Sequence, residues 1–188
     1  MTGDLRCGVE EPSYIHFLMI LRRQAIFAAA LVLIGVTDKA AFGEPIIRGK
    51  PASQWIEQLN DVDPHTKLYA AEALGTCGAP CSAALPTLKE QLGDSTTPSF
   101  ARVAIAKSII KISPEPESDV ISTLVDIIED EWQARGSVPG PYLEALGEAG
   151  SRAESAVPLL QKLCSRWAGS VQMAAGNALW KIQGRRCH

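Results

Sequence analysis

Two closely spaced cysteines are the residues of this chain best suited to chemistry. Cys77 and Cys81 form a C-x₃-C pattern across a predicted helix end at Gly78. If the chain is exported, the oxidising compartment permits a disulfide between them. The alternative is that Cys77 only fills a position in the hydrophobic core. A metal site is less favoured, because no second Cys/His pair at ligand spacing lies nearby.

The remaining cysteines and the histidines add little. Cys164 lies on the apolar face of a predicted helix, which favours a core position, and a bridge to Cys187 in the tail is the alternative. The sequence has no C-x-x-C-H motif, which excludes covalent haem attachment. Beyond residue 43 the histidines are His65 and His188, too few to build a Ser-His-Asp or Cys-His apparatus.

Acidic residues cluster on one predicted helix, at Asp126, Glu129, Asp130 and Glu131. On the polar side of an amphipathic helix such a cluster is typical of a solvated face. The glycines fall at predicted caps and turns, so none of them belongs to a loop that would cradle a phosphate. We therefore predict no catalytic site, no metal site and no cofactor.

Composition and charge exclude further classes of protein. The 188 residues carry 18 Lys and Arg against 21 Asp and Glu, a net charge of −3, and the pI is near 5.6. Nucleic-acid-binding domains usually carry a basic stripe and a pI above about 9, so we predict no nucleic-acid partner. A hydrophobic content of 46% excludes wholesale disorder.

An export signal is predicted over residues 1–43. The uncharged apolar run Ala25–Val36 has twelve residues, against the roughly 20 that a membrane-spanning helix needs. Two arginines precede the run, and Ala41-Phe42-Gly43 follows with small residues at both ends. This order is typical of a secretory signal cleaved after Gly43, which predicts a periplasmic or secreted protein.

Two features of this leader leave alternatives open. Met19 lies just before the apolar run, and a start there would give a leader of ordinary length. The leader could also stay attached as an N-terminal membrane anchor; if it is cleaved, no stable membrane span is predicted.

An internal repeat organises the rest of the chain. The sequence Glu72–Gly75, EALG, recurs at Glu144–Gly147, an offset of 72 residues. Half of that offset locates a middle copy, in which Ile109 corresponds to Leu74, and a partial fourth copy covers residues 178–182. The same offset of 72 relates four further pairs, Gly78/Gly150, Ala84/Ala156, Pro86/Pro158 and Leu88/Leu160.

Each copy predicts two helices. In the first copy Asp63-Pro64 begins a helix that Gly78 ends as a left-handed cap. Pro86 then lies in the first turn of a second helix, where proline is tolerated, and Gly93 ends it. The middle copy has a longer second helix, about residues 119–134, and no segment shows convincing strand alternation. Stacking of the copies would bury one continuous row of side chains, Leu74, Ile109, Leu146 and Leu179.

These motifs resemble the HEAT and HEAT-like (phycobilin-lyase-type) repeats. The resemblance covers residues 61–184 and rests on Asp61–Pro64, Ala70–Gly75, Gly78–Pro80 and Ala84–Leu88. It implies an all-α solenoid of about three and a half helix-pair copies. Residues 44–60 resemble the lead-in of exported bacterial members, with Trp55 capping the stack, and residues 185–188 form a tail. The resemblance also implies protein–protein interaction along the concave face, while a minority of relatives act on tetrapyrroles.

The second helices of HEAT-like stacks line that concave face, which predicts where a partner binds. Glu90, Asp126 and Lys162 occupy equivalent outward positions on the three second helices, and Thr87, Thr123 and Leu159 form the adjacent row. We call these six residues the predicted row. They predict a groove that is acidic over two copies and basic at the third, and an unselected polar face is the alternative. Reversal of Glu90 and Asp126 to Lys is expected to abolish partner capture.

The sequence thus predicts a non-catalytic, exported adaptor or scaffold that binds a protein partner. The alternative function is that of an accessory protein that handles a small molecule or a tetrapyrrole. The colour of the purified protein would separate the two.

Overall fold

The computed structural model describes residues 43–113, 118–166 and 169–185. The described residues from Glu44 onwards belong to one compact unit. The apolar run of the predicted signal, Met19 and Cys187 lie outside the described residues, so cleavage after Gly43 stays a prediction. Within the described residues, no helix is both long and apolar enough to cross a membrane.

The unit from Glu44 onwards is a stack of α-helices that follows a small hairpin. The elements are β1 (Ile46–Ile47), β2 (Lys50–Pro51), α1 (Ala52–Gln58), α2 (Pro64–Cys77), α3 (Leu85–Gly93), α4 (Ser99–Ile112), α5 (Ser118–Arg135), α6 (Gly140–Ala149), α7 (Val157–Arg166) and α8 (Ser170–Gln183). The predicted all-α solenoid is confirmed, as are the long helix near residues 119–134 and the placement of Pro86 and Pro158 in first turns.

The hairpin is a feature that the sequence did not predict. Strands β1 and β2 pair antiparallel, and the two residues between them, Arg48 and Gly49, both have positive φ. Positive φ at both central residues is what a type I′ hairpin turn requires. Trp55 fixes the hairpin to α1, because its Nε1 donates a hydrogen bond of 2.9 Å to the carbonyl oxygen of Ile47. The strands have two residues each, too few for alternation to be read.

Helix α2 begins and ends where the sequence predicts. The Asp63 carboxylate accepts hydrogen bonds from the backbone N–H groups of His65 and Thr66, at 3.2 and 3.0 Å, which satisfies two otherwise unpaired donors. Gly78 ends the helix with φ 67° and ψ −146°. The positive φ is as predicted, but the ψ is not that of a left-handed cap; it lies in a region that is open essentially to glycine alone.

The connection from α2 to α3 is a short 3₁₀ helix, Ala79–Ala84, and Gly150–Ala156 forms its counterpart before α7. Both are interrupted at the same place, at Cys81 (φ −92°, ψ 22°) and at Ala153 (φ −93°, ψ 27°). The two copies of the motif therefore build the same turn.

The helices pair in a different phase from the one predicted. Helix α1 packs on α2, α3 on α4 and α7 on α8, whereas α2 shares little contact with α3, and α6 little with α7; α5 packs on both α4 and α6. The pairs α1–α2, α3–α4 and α7–α8 therefore begin one helix earlier than the predicted copies, whereas α5 shares more contact with α4 than with α6 and does not set the phase. A repeat period of 35 residues is the same whether the pairs are counted from α1 or from α2, so the period does not determine which helices pair.

This pairing gives the stack two layers. We call α2, α4, α6 and α8 the inner layer, since α2 packs extensively on α4, and α6 on α8; the outer layer is α1, α3, α5 and α7. Between the layers lies the predicted core row, Leu74, Ile109, Leu146 and Leu179, all buried. Small residues bring the inner helices together: a Cβ added to Gly75 would lie 2.9 Å from the Ser108 Oγ on α4.

Candidate functional site: a groove on the inner layer

An open groove of about 820 Å³ lies on the inner layer. We call it the inner groove. Helices α2 and α4 form its walls, and the end of α5 with the start of α6 closes one end. Its lining includes Leu68, Glu72, Thr76, Phe100, Val103, Lys107, Lys111, Glu131, Arg135 and Tyr142.

Helical spacing explains why α2 presents polar side chains to this surface. His65, Tyr69, Glu72 and Thr76 are separated by four, three and four residues, so they share one face of the helix, and all four are exposed. The opposite face carries the buried residues of the core. The face continues onto α4, because the ring of His65 lies 5.1 Å from the ring of Phe100, between centroids.

The lysines of the inner groove are already paired. Lys107 Nζ lies 3.1 Å from Glu148 Oε1, and Lys111 Nζ lies 3.5 Å from Glu148 Oε2, so one carboxylate of α6 holds two cations of α4. Glu72 differs from them: among the described residues it has no ion-pair partner. The lysines therefore join two inner helices, and Glu72 is available to a ligand.

A buried carboxylate lies at the end of the inner groove where α5 ends. Glu131 is 8% exposed, and its Oε2 lies 3.1 Å from Nε of Arg135, whose side chain is 71% exposed. Although this is an ion pair, Oε2 accepts no hydrogen bond from any described residue. Burial raises the pKa of the neighbouring Tyr142, the negative charge of Glu131 raises it further, and the positive charge of Arg135 lowers it.

The sequence model of the family described as HEAT repeats matches residues 52–138. Residues 52–138 therefore belong to the HEAT-repeat family. The match begins at α1 and runs to the end of α5, so it starts with the first helix of the first pair. None of the curated proteins and none of the solved structures matches the chain. The resemblance seen in the sequence is thus confirmed for the fold.

A second, smaller groove lies between α6 and α8. It is about 430 Å³ in volume, and its lining includes Glu144, Met173 and Trp180. Met173 is 65% exposed and Trp180 55% exposed. Glu144 is the counterpart of Glu72 at the offset of 72, so the glutamates of both EALG motifs line grooves on the inner layer.

The predicted row lies on the outer layer of the stack. Thr87 and Glu90 belong to α3, Thr123 and Asp126 to α5, and Leu159 and Lys162 to α7. The sequence predicted that these helices are the second of their pairs, whereas α3 and α7 are the first; their place on the concave side stays a prediction. A partner-binding role for the row stays a prediction.

Individual residues of the predicted row differ in exposure. Glu90, Asp126 and Lys162 are exposed, and Lys162 Nζ lies 4.7 Å from the centroid of the Trp132 ring, a cation–π contact. Leu159 is 5% exposed and belongs to the hydrophobic core, so its prediction as a surface residue is wrong. The remaining members, Thr87 and Thr123, are half-buried.

The disulfide between Cys77 and Cys81 is present, with Cα atoms 5.8 Å apart. It joins the last residue of α2 to the 3₁₀ helix that follows. Cys164 is buried in the core, and the predicted Cys164–Cys187 bridge involves a residue outside the described ranges. Where side chains are described, no group of three His, Cys, Asp or Glu residues could hold a metal ion.

Glu131 is the site residue that the sequence interpretation missed. The acidic cluster was expected to be a solvated face, but Glu131 follows Leu124 and Ile128 at spacing i, i+4 and i+7. These positions share one face of a helix, and both apolar residues are buried. The apolar period of α5 could therefore have indicated a buried carboxylate.

Proposed function

We propose that this HEAT-repeat chain is a non-catalytic interaction module that binds a segment of a partner protein in the inner groove. The observation that supports this proposal is the groove itself. Leu68, Phe100 and Val103 supply apolar lining, and charged side chains line the same groove. An apolar centre with a polar rim is the usual composition of a protein interface.

The extent of the inner groove suits a short extended segment. Packed helices lie about 8–10 Å apart, so a groove that runs from α2 across α4 to α6 spans about 16–20 Å. An extended chain rises about 3.3 Å per residue, which corresponds to about five or six residues of a partner.

A pair of matched tryptophan substitutions tests the location of the site. Thr76→Trp fills the inner groove, and Ser122→Trp places the same bulk on the outer layer at an exposed site of α5. Both hydroxyls donate to the backbone carbonyl three residues earlier, Thr76 to Ala73 and Ser122 to Asp119, so both variants lose an equivalent local bond. We expect the Thr76 variant to lose a stoichiometric partner that the Ser122 variant retains, when each is used as bait on the exported fraction.

The predicted row supplies the third arm of this experiment. A variant with Glu90→Lys and Asp126→Lys reverses two exposed charges on the outer layer and leaves the inner groove unchanged. Because the proposed site lies in the inner groove, we expect this variant to retain the partner, which is the opposite of the expectation from the sequence alone. Loss of the partner here, with retention in the Thr76 variant, would move the site to the outer layer and contradict the proposal.

We also propose that the chain is exported, as the leader predicts. The Cys77–Cys81 disulfide supports this, because disulfides persist in oxidising compartments and are rare in the cytosol. Cell fractionation followed by thiol titration tests it: the chain should leave the cytosol, and Cys77 and Cys81 should become reactive only after a reductant is added. Cytosolic protein with both thiols reduced would contradict it.

A second candidate function is the handling of a small molecule. Its support is the volume of the inner groove, about 820 Å³, which lies in the usual range of small-molecule pockets, about 300–1,000 Å³. Absorption above the protein bands in freshly purified material would favour this function. A colourless protein that captures a partner through the inner groove would favour the interaction module.

A further inference from the structure

The position of the buried Glu131 carboxylate is unfavourable for the stability of the fold. Burial of a charged group costs free energy unless the charge is well paired. Its partner, Arg135, is mostly in solvent, and Glu131 Oε2 accepts no hydrogen bond from any described residue. The carboxylate therefore has unused capacity to bind a donor.

The surroundings of Glu131 favour a cation over other donors. Phe100 and Tyr142 line the same cavity, and aromatic faces attract cations, most strongly where water is excluded. The lysines of the groove do not compete, because Glu148 holds both. A positively charged side chain from a partner would thus meet a carboxylate and aromatic rings in one cavity.

The chain itself indicates which cation fits. Arg135 Nε lies 3.1 Å from Glu131 Oε2, so a guanidinium group already occupies space beside the carboxylate. A guanidinium is planar, binds carboxylates through two parallel hydrogen bonds and stacks on aromatic rings, whereas an ammonium does not. Since Arg135 projects into solvent from the last turn of α5, it can give way to a better-aligned guanidinium.

We propose that the inner groove recognises its partner through an arginine side chain, whose guanidinium pairs with Glu131 in place of Arg135. This inference rests on the proposed function and names the chemistry of the segment that the groove binds. Arginine is also among the residues that contribute most to protein interfaces when buried at their centre.

Two capped pentapeptides, Gly-Ser-X-Ser-Gly with X as arginine or citrulline, test the proposal by NMR titration of the full chain. Citrulline has the shape of arginine without its charge. A charge-assisted hydrogen bond contributes about 1.5–3 kcal/mol, so we expect the arginine peptide to bind at least about tenfold more tightly. Its shifts should centre on Phe100 and Tyr142. Equal affinities, or shifts elsewhere, would overturn the proposal.

Three variants assign the effect to residues. Glu131→Gln keeps the shape of the side chain and should bring the affinity ratio of the two peptides close to one. Glu144→Gln, an exposed glutamate that lines the neighbouring groove, is the matched control and should leave the ratio unchanged. Arg135→Gln removes the competing guanidinium at an exposed site and should raise the ratio. An unchanged ratio in both the Glu131 and Arg135 variants would overturn the assignment.

The outcomes separate this inference from the proposed function. If arginine and citrulline peptides bind equally but Thr76→Trp abolishes partner capture, the groove binds a partner without an arginine and only the inference fails. If Thr76→Trp leaves partner capture intact, the proposed function fails whatever the peptides do.

Discussion

Two segments of the stack, 72 residues apart, form the same turn with different residues. Gly78 and Gly150 end α2 and α6 with nearly the same backbone angles, φ 67° and 59°, and the 3₁₀ helices that follow are interrupted alike. A disulfide joins Cys77 to Cys81 in the first segment, and alanines occupy both equivalent positions in the second. The glycine and the core packing therefore shape the turn, and the covalent bond is an addition to it.

The glycines of the two EALG motifs differ in the neighbour that each one faces. A Cβ on Gly75 would lie 2.9 Å from the Ser108 Oγ and 3.2 Å from its Cα, whereas a Cβ on Gly147 would lie 3.1 Å from Lys181 Cδ and 3.2 Å from the Ala178 Cα. The Ser108 hydroxyl also donates to the Ala71 carbonyl across the helices, at 2.6 Å. The same motif therefore makes two helix contacts that differ in how easily each would accommodate a larger side chain.

Replacement of the core leucine in either EALG motif should lower stability by the same amount, and this is the largest effect expected. Leu74 and Leu146 are both fully buried, so Leu74→Ala and Leu146→Ala should each lower the free energy of unfolding by about 2–5 kcal/mol. Urea denaturation of both variants measures it. A clearly smaller loss at one site would show that the two segments are not packed alike.

The parts of the fold that depend on residue spacing within one helix could be predicted, and those that depend on which helices contact each other could not. Apolar spacing placed Leu74 and Leu146 in the core, and Pro86 marked a first turn. Which helices form a pair depends on which helices contact each other, and a tandem repeat in the sequence does not encode this. For the same reason the predicted row was assigned to the second helices of the pairs, and the inner groove, which needs three helices and the end of a fourth, could not be predicted.

Removal of the disulfide makes the first segment like the second and should have the next largest effect. The double variant Cys77→Ala, Cys81→Ala recreates the alanines of the later copy. Because the closed loop is short, the chain-entropy model gives a loss of only about 2 kcal/mol. We expect the same helical circular dichroism with a moderately lower unfolding free energy. Loss of helix content would show that the disulfide, and not the glycine, shapes the turn.

Alanine at the two glycines should give unequal results. Overpacking of a tight contact costs about 1–3 kcal/mol, and alanine in place of glycine regains up to about 1 kcal/mol of helix propensity. Gly75→Ala meets the Ser108 side chain and backbone, so we expect a net loss of about 1–2 kcal/mol. Gly147→Ala also approaches a backbone atom, the Ala178 Cα, but its nearest neighbour is the flexible Lys181 side chain, which can move aside, so its loss should be smaller than that of Gly75→Ala.

A double-variant measurement checks the cause of that inequality. Ser108→Ala removes the Oγ that a Cβ at Gly75 would meet most closely. The combination Gly75→Ala, Ser108→Ala should therefore cost less than the sum of the single changes. Additive losses would mean that the backbone of α4, and not the serine hydroxyl, limits the approach of the two helices.

The smallest expected effect on stability concerns the residues at which helices α2 and α6 begin. Asp63 caps α2, whereas α6 begins after Pro139 without a side-chain cap. The Thr66 hydroxyl and then the His65 backbone N–H hold the pKa of Asp63 below its ordinary value. A carboxyl whose pKa is lowered by folding stabilises the fold above its unfolded pKa and loses this contribution as the pH falls through its folded pKa.

Asp63→Ala should therefore lower the melting temperature slightly at neutral pH, and the difference from the natural chain should shrink in strong acid. Asp63→Asn is the matched control, because asparagine also caps helices but does not ionise. Its difference from Asp63→Ala should stay constant over the same pH range. If the difference between the natural chain and Asp63→Ala is also constant, hydrogen bonding to the neutral side chain suffices, and the charge of Asp63 does not distinguish the start of α2 from that of α6.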